Sequence, residues 1–220
     1  MKLELKDIDF VYPKSDRIVL RGLNVSFEEG TVSSIRGDSG AGKSTLLYLI
    51  SGFSKKSGGQ MLWNGEEVTD LDTYRRTTVG TISQSYLLFP TRTVLENVSY
   101  PLILDGYPKE EAEKRAKELL ESVGIEDIHY KKLPEKLSGG EQQRVAIARC
   151  LAANSKIIVA DEPTGNLDQT NTQGIINIFK DLAHNQNKIV VIVTHDPAVA
   201  EEADIQYFLK EGVLVSSLEQ

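Results

Sequence analysis

Eight consecutive residues, Gly37-Asp38-Ser39-Gly40-Ala41-Gly42-Lys43-Ser44, have the types and spacing needed to hold a polyphosphate. Gly37, Gly40 and Gly42 let the backbone turn tightly and bring a row of N–H groups close to phosphate oxygens. Lys43 would place a point charge on the β- and γ-phosphates, and the Ser44 hydroxyl is a hard oxygen donor suited to Mg²⁺. The run Thr45-Leu46-Leu47-Tyr48-Leu49-Ile50 reads as a helix whose positive end faces the same anion. Val32 to Ile35, before the loop, reads as a short strand. Strand, glycine loop and helix in that order give the spacing its meaning; the bland alternative is a glycine-rich turn with a chance lysine.

Further polar groups stand at the ends of similar runs. Val32–Ile35 leads into Gly37, Val79–Ile82 leads to Gln84, Ile157–Ala160 ends at Asp161-Glu162, and Ile189–Val193 ends at Thr194-His195. Short, continuously apolar, β-branched runs are the mark of parallel strands buried on both faces. Ligands of such sheets bind beyond the carboxyl ends of the strands. Gln84, Asp161, Glu162 and His195 are therefore expected at the edge where the glycine loop sits. Asp161 suits a second Mg²⁺ contact, and Glu162 a base that activates water. His195 taken alone is more often a structural histidine; its place at a strand end shifts the reading towards a γ-phosphate contact.

The remaining chain supplies the scaffold. Residues 3–11 and 19–27 alternate apolar and polar and read as half-buried antiparallel strands. Tyr12 follows the first of them, and the residues alone favour a core-capping role for it. A hairpin is expected around Asn64-Gly65, between Gln60–Trp63 and Glu66–Val68. Pro108 suits the first position of a helix carrying Ala112, Ala116, Leu119, Leu120 and Val123 on one face and ending at Gly124. Ser138-Gly139-Gly140-Glu141 is a capping box opening a second helix that runs through Arg149. The segment from Ile205 to Val215, with a turn at Glu211-Gly212, reads as a closing hairpin.

Composition narrows the class. The chain has 220 residues, 40% hydrophobic and 26% charged, as in ordinary globular proteins. Its longest apolar runs, such as Ile189–Val193, fall far short of the roughly 18 residues of a membrane span. The first residues alternate like a strand and lack the apolar core of a signal peptide. A net charge of −7 with no long basic run argues against non-specific nucleic-acid binding. A single cysteine, Cys150, excludes an internal disulfide, fits a reducing cytosol and reads as a small buried hydrophobe.

The motif set Gly37–Ser44, Gln84, Leu137-Ser138-Gly139-Gly140-Glu141-Gln142, Asp161-Glu162-Pro163, Asn166-Leu167-Asp168 and His195 resembles the nucleotide-binding subunits of ATP-binding-cassette transporters over essentially the whole chain. Leu88-Phe89-Pro90 with Thr93–Val98, and Ala160–Asp168, are similar to the bacterial lipoprotein-release, macrolide-export and bacitracin-resistance group; the cell-division ATPase that works with a membrane partner is a close relative.

The resemblance implies one α/β domain over residues 1–220. Its core would be a P-loop NTPase (RecA-like) with a mainly parallel sheet, an N-terminal antiparallel β subdomain and an inserted α-helical subdomain at about residues 88–155. It implies ATP and Mg²⁺ as cofactors. Tyr12 would stack on adenine, which reverses the core reading. Gly37, Asp38, Ser39, Gly40, Ala41, Gly42, Lys43, Ser44 and Thr45 would hold the phosphates, and Ser44, Gln84 and Asp161 would surround Mg²⁺. Lys43, Gln84, Glu162 and His195 would form the catalytic set, with Glu162 as general base. Ser138, Gly139 and Gly140 would close over the ATP of a second, head-to-tail copy, and Asp168 would link the two sites.

A separate membrane permease would hold the chain on the inner face of the bacterial cell membrane, for export or extraction of a peptide, antibiotic or lipid-linked substrate. Regulation of a cell-division partner without transport is the alternative. Cassettes of DNA repair would need a long coiled-coil insertion and those of translation a second cassette; this chain has neither. Cys150 stands where the family usually has alanine, Asn154-Ser155 replaces a common proline-containing turn, and Arg36 puts a charge before the loop.

Overall fold

A slip in the alternation of the first strand shapes the front of the molecule. In the computed structural model, which describes residues 1–14 and 16–216, β1 (Lys2–Val11) pairs antiparallel with β2 (Ile18–Glu28). Leu3, Leu5, Ile8 and Phe10 all point inward, although the spacing changes parity between Leu5 and Ile8. The register shifts there, and Asp7 adopts φ 48°. Such a bulge spends one residue to bring the strand back into phase. Asn24 holds the bulge, accepting the Asp7 N–H at 3.0 Å and donating to the Asp7 carboxylate at 2.8 Å.

The chain then alternates strands and helices. In order come β3 (Val32–Gly37), α1 (Lys43–Ile50), β4 (Gly58–Trp63), β5 (Glu66–Glu67), α2 (Leu71–Thr77), β6 (Val79–Ser83), α3 (Val94–Leu104), α4 (Lys109–Ser122) and α5 (Gly139–Ala152). After these are β7 (Ile157–Asp161), α6 (Gln169–His184), β8 (Ile189–Val193), α7 (Pro197–Glu201), β9 (Ile205–Lys210) and β10 (Val213–Ser216). One sheet is antiparallel, in the order β2-β1-β4-β5, with Leu3 of β1 opposite Trp63 of β4. The other runs β10-β9-β3-β8-β7-β6, parallel throughout except for the β10 edge.

The parallel sheet is covered on both faces, which is why its inner strands are so apolar. Ile157 and Val159 of β7 face a layer built from α1 and the antiparallel sheet, with Leu46, Ile50 and Phe27. Ile158 and Ala160 face the opposite layer, with Val98, Leu120, Ile147 and Phe179 from α3, α4, α5 and α6. Each fully buried side chain of the larger kind contributes about 1.5–3 kcal/mol.

Several elements depart from expectation. α1 begins at Lys43, two residues before Thr45, because Gly42 at φ 107° turns the chain directly into the helix. Pro108 precedes α4 rather than opening it; its ψ of 144° is extended, and its carbonyl accepts the Ala112 N–H at 2.9 Å as a helix cap does. The closing hairpin is present, and its first strand also joins β3 in parallel, extending the main sheet. α3 opens with its own capping box, Thr93 and Glu96. Cys150 is buried, and burial pushes its thiol up to about 11. A methyl group on Gly80 would fall 2.1 Å from its Sγ, so this sulfur fills the space beside β6. No described helix is long and apolar enough to cross a membrane.

Candidate active site

Register sets the site. Ile35 lies opposite Val193, Val193 opposite Asp161, and Asp161 opposite Ser83, so β8, β7 and β6 end level and β3 runs two residues further, to Gly37. The residues just beyond these ends are the glycine loop, Thr194-His195, Glu162 and Gln84.

The loop is built around Lys43, whose Nζ donates to the carbonyls of Gly37 at 2.7 Å and Asp38 at 3.0 Å. Gly37 is obligatory for packing, since a Cβ there would sit 2.3 Å from the Leu209 carbonyl oxygen. Gly40 at φ 78° and Gly42 at φ 107° make the turn. Gly42 offers no side-chain cap, which leaves the first-turn N–H groups of α1 to an incoming anion. Beside them lies a cleft of about 400 Å³, lined by Tyr12, Arg17 and Val19 together with Ser39, Gly40 and the start of α1 from Gly42 to Thr45. Tyr12 is no core residue: it is 46% exposed. Its hydroxyl lies 2.8 Å from Thr45 Oγ1, and its ring stands edge-on to Phe10, 5.0 Å between centroids. Arg17 and Val19 were not foreseen in this cleft. The signal was the end of the polar loop before β2, whose Val19 side chain lies 3.2 Å from where a Gly42 Cβ would be.

Asp161 and Glu162 differ in surroundings although adjacent. Burial, reinforced by the Glu162 charge, raises the Asp161 carboxyl above its ordinary range, with Lys43 acting in the opposite sense. Glu162 takes φ 46°, a conformation that costs a non-glycine residue on the order of 1–3 kcal/mol. Its N–H donates to the Val193 carbonyl at 2.8 Å, and its Oε2 meets His195 Nδ1 at 2.9 Å. The His195 side chain stays 73% exposed while that of Glu162 is 17% exposed. Gln84 is an exposed residue one step past β6, and its carbonyl accepts from Asn166 Nδ2 at 3.3 Å.

The second group of sequence-derived residues does not line the loop cleft. Ser138 caps α5, accepting the Glu141 N–H at 3.3 Å while Glu141 Oε2 accepts the Ser138 N–H at 2.7 Å. Gly139 and Gly140 form its first turn, packed on the segment around Leu167 and on Asn171. Asp168 caps α6; hydrogen bonds from the Asn171 backbone and side chain hold its carboxyl below the usual range. Asn171, unassigned from sequence, thus touches both.

A sheet whose polar strand ends face a lysine-bearing glycine loop, with a capped glycine pair at a separate helix start, defines a P-loop ATPase, and the chain belongs to the ABC transporter family, whose profile matches residues 20–165. It is 42% identical over 214 residues to the lipoprotein-releasing system ATP-binding protein LolD of Rickettsia prowazekii, with 96% of each chain covered. It is 41% identical over 199 residues to the cell division ATP-binding protein FtsE of Haemophilus influenzae, covering 88% of this chain and 90% of that one. Among solved structures, a dimeric ATP-binding cassette in a post-hydrolysis state with ADP and Pi superimposes with a TM-score of 0.88 at 37% identity, covering 99% of each. The chain is an ATP-binding, ATP-hydrolysing subunit of an ABC transporter.

Proposed function

We propose that the chain acts as a single ATPase domain over residues 1–220, with the helices at about 88–155 as an inserted subdomain. In this reading it drives a separate membrane permease by closing and reopening a head-to-tail homodimer. The observation that carries the chemistry is the 2.9 Å contact between Glu162 and His195 at the level strand ends. Glu162 takes a proton from the attacking water, and His195 orients Glu162 and meets the γ-phosphate. Lys43 and the amides from Gly37 to Thr45 bind the phosphates, and Tyr12 stacks on the adenine.

Ser44, Gln84 and Asp161 would hold Mg²⁺. Their donors are all hard oxygens, and the raised Asp161 carboxyl beside Glu162 is local negative charge that a divalent cation relieves. Among the described residues no three His, Cys, Asp or Glu side chains could hold a metal by themselves, in keeping with an ion shared between one carboxylate and substrate phosphates. Bound there, the ion would neutralise charge developing on the phosphoryl oxygens.

Ser138, Gly139 and Gly140 reach the ATP of the partner copy and Asp168 joins the two sites, a reading supported by the separation of α5 from the loop cleft within one chain. The dimeric state of the solved relative supports it further. Leu87 and Phe89 before α3, and Ile103 and Leu104 at its end, are exposed apolar side chains of the kind a permease contact would cover. Through that permease the chain would lie on the inner face of the cell membrane and serve export or extraction of a peptide, antibiotic or lipid-linked substrate.

The test is Glu162→Gln. A base contributes roughly 10²–10⁴ in rate, so phosphate release should fall by that factor while Mg-ATP binding persists and traps a dimer on a sizing column. Adding Ser138→Arg should abolish that dimer and leave ATP binding by each monomer intact. A Glu162→Gln protein that hydrolyses within a few-fold of wild type would remove Glu162 from its role.

A further inference from the structure

Between Gln84 and α5 runs a short strap, Gly165 to Asp168, whose two ends are both fixed. At one end Asn166 Nδ2 donates to the Gln84 carbonyl at 3.3 Å, and a Cβ on Gly165 would fall 2.8 Å from Gln84 Nε2. At the other end Asp168 is held twice by one residue. Its Oδ1 accepts the Asn171 backbone N–H at 2.9 Å, and its Oδ2 accepts from Asn171 Nδ2 at 2.7 Å. The backbone bond is what any helix cap makes; the side-chain bond is additional and fixes the plane of the carboxylate.

The remaining polar atom of that side chain faces the first turn of α5. A Cβ on Gly140 would lie 2.5 Å from Asn171 Oδ1, and one on Gly139 would lie 3.4 Å from Leu167 Cδ2. The glycines therefore allow the backbone of α5 to sit directly on the strap and on Asn171. Asn171 thus faces Asp168 through its amide nitrogen and Gly140 through its amide oxygen.

We propose that Asn171 is a positioning residue that latches Asp168 to the first turn of α5, so that Ser138–Gly140, Asp168 and Gln84 shift as one body within a subunit. The inference rests on the reading in which Ser138 and Asp168 act across a dimer. It adds that their relative placement is set inside one chain before the partner arrives. Without the latch, closing a dimer would require α5 and the strap to be ordered separately, and a pre-ordered surface associates at lower cost.

Two variants test it. Asn171→Ala removes the side-chain bond to Asp168 and the packing on Gly140, and keeps the backbone bond to Asp168. Asn171→Asp keeps its shape but turns the donor on Asp168 into a second acceptor, which guards against a simple packing failure. Amide hydrogen exchange of the monomer without nucleotide is the first measurement. A latch requires faster exchange across the gap, at Glu141 and Gln142 of α5, as well as at Thr172 of α6. If only the α6 amides change, Asn171 is an ordinary helix cap and the proposal is overturned.

The second measurement uses the Glu162→Gln background. The protein concentration for half-maximal ATP-dependent dimerisation should rise about tenfold, the scale of one lost charge-assisted hydrogen bond. ATP affinity of each monomer, read by calorimetric titration, should stay within twofold. An unchanged threshold, or ATP affinity that falls in step with dimerisation, also overturns the latch. Should Glu162→Gln with Asn171 intact fail to dimerise, the composite-site reading has failed instead, and exchange at Glu141 and Gln142 decides the latch alone.

Discussion

The Oε2 atom of Glu162 is shared within one residue: it lies 2.9 Å from Nδ1 of His195 and 3.3 Å from the backbone nitrogen of the same His195, which donates to it. One carboxylate oxygen is thereby fixed by the neighbouring strand end, and the other is available to a water. Part of what His195 contributes passes through Glu162 in this geometry, and the rest through its contact with the γ-phosphate, so the two should not contribute independently. His195→Ala is expected to slow phosphate release by roughly 10²–10⁴. Added to Glu162→Gln it should cost less than it does alone, since groups that act partly as a unit are non-additive. Steady-state rates of the two single variants and the double variant decide the point; additive losses would separate the roles.

Lys43→Ala should weaken ATP binding by about 1.5–3 kcal/mol, the worth of a hydrogen bond to a charged group. The thermal midpoint without nucleotide should fall only slightly, because the bonds lost are those to the Gly37 and Asp38 carbonyls at the loop surface. Calorimetric titration beside a thermal melt tests both halves.

Tyr12 separates stacking from packing. Its ring is half exposed beside the loop, so Tyr12→Ala should weaken ATP and GTP alike by roughly 1–3 kcal/mol while the melting temperature hardly moves. Tyr12→Phe keeps the ring and loses only the contact with Thr45, a change of about 0.5–1.5 kcal/mol. A lowered melting temperature with intact affinity would return Tyr12 to the core.

Asp161 gives a pH-dependent signature. Burial and the Glu162 charge raise its carboxyl in the folded chain, so folding favours the protonated form. The ionised group therefore costs stability above its raised folded value, and the cost disappears as pH falls towards the ordinary range near 3.8. Asp161→Asn should melt above wild type at pH 7 to 8 without metal or nucleotide, and the gap should close on acidification. Mg-ATP should stabilise both proteins, and the variant by less, because the loop amides, Lys43, Ser44 and Gln84 remain. Melting curves across pH, with and without Mg-ATP, provide the measurement.

The strand ends were legible because double-sided burial leaves an unmistakable trace: Ile157–Ala160 and Ile189–Val193 have no polar interruption, and the residues immediately after them must lie at one edge. The contact between Glu162 and His195 was not legible, since it depends on Asp161 and Val193 being opposite in register. α6 escaped notice because its apolar face, Ile175, Ile176, Phe179, Leu182 and Ala183, begins only after a polar opening. α3 was obscured by Pro101 within it and by Asn97, a buried polar residue whose amide donates to the carbonyls of Phe89, Arg92 and Thr93. Placing β9 beside β3 requires a pairing across most of the chain, which no local pattern encodes. Asn171 had no local signal beyond its place after Asp168, because its partner Gly140 lies on another helix.

Trp63 is the only tryptophan, and it packs at the end of β4 against the layer formed by α1 and the antiparallel sheet. Intrinsic indole emission therefore reports one side of the parallel sheet and is silent about the helical side that carries Ser138. Far-UV circular dichroism, dominated by the helices, reports mainly the other. Coincidence of the two optical transitions would establish that both layers melt cooperatively. A variant that loosens α5 alone should shift the dichroism curve and leave the emission curve where it was.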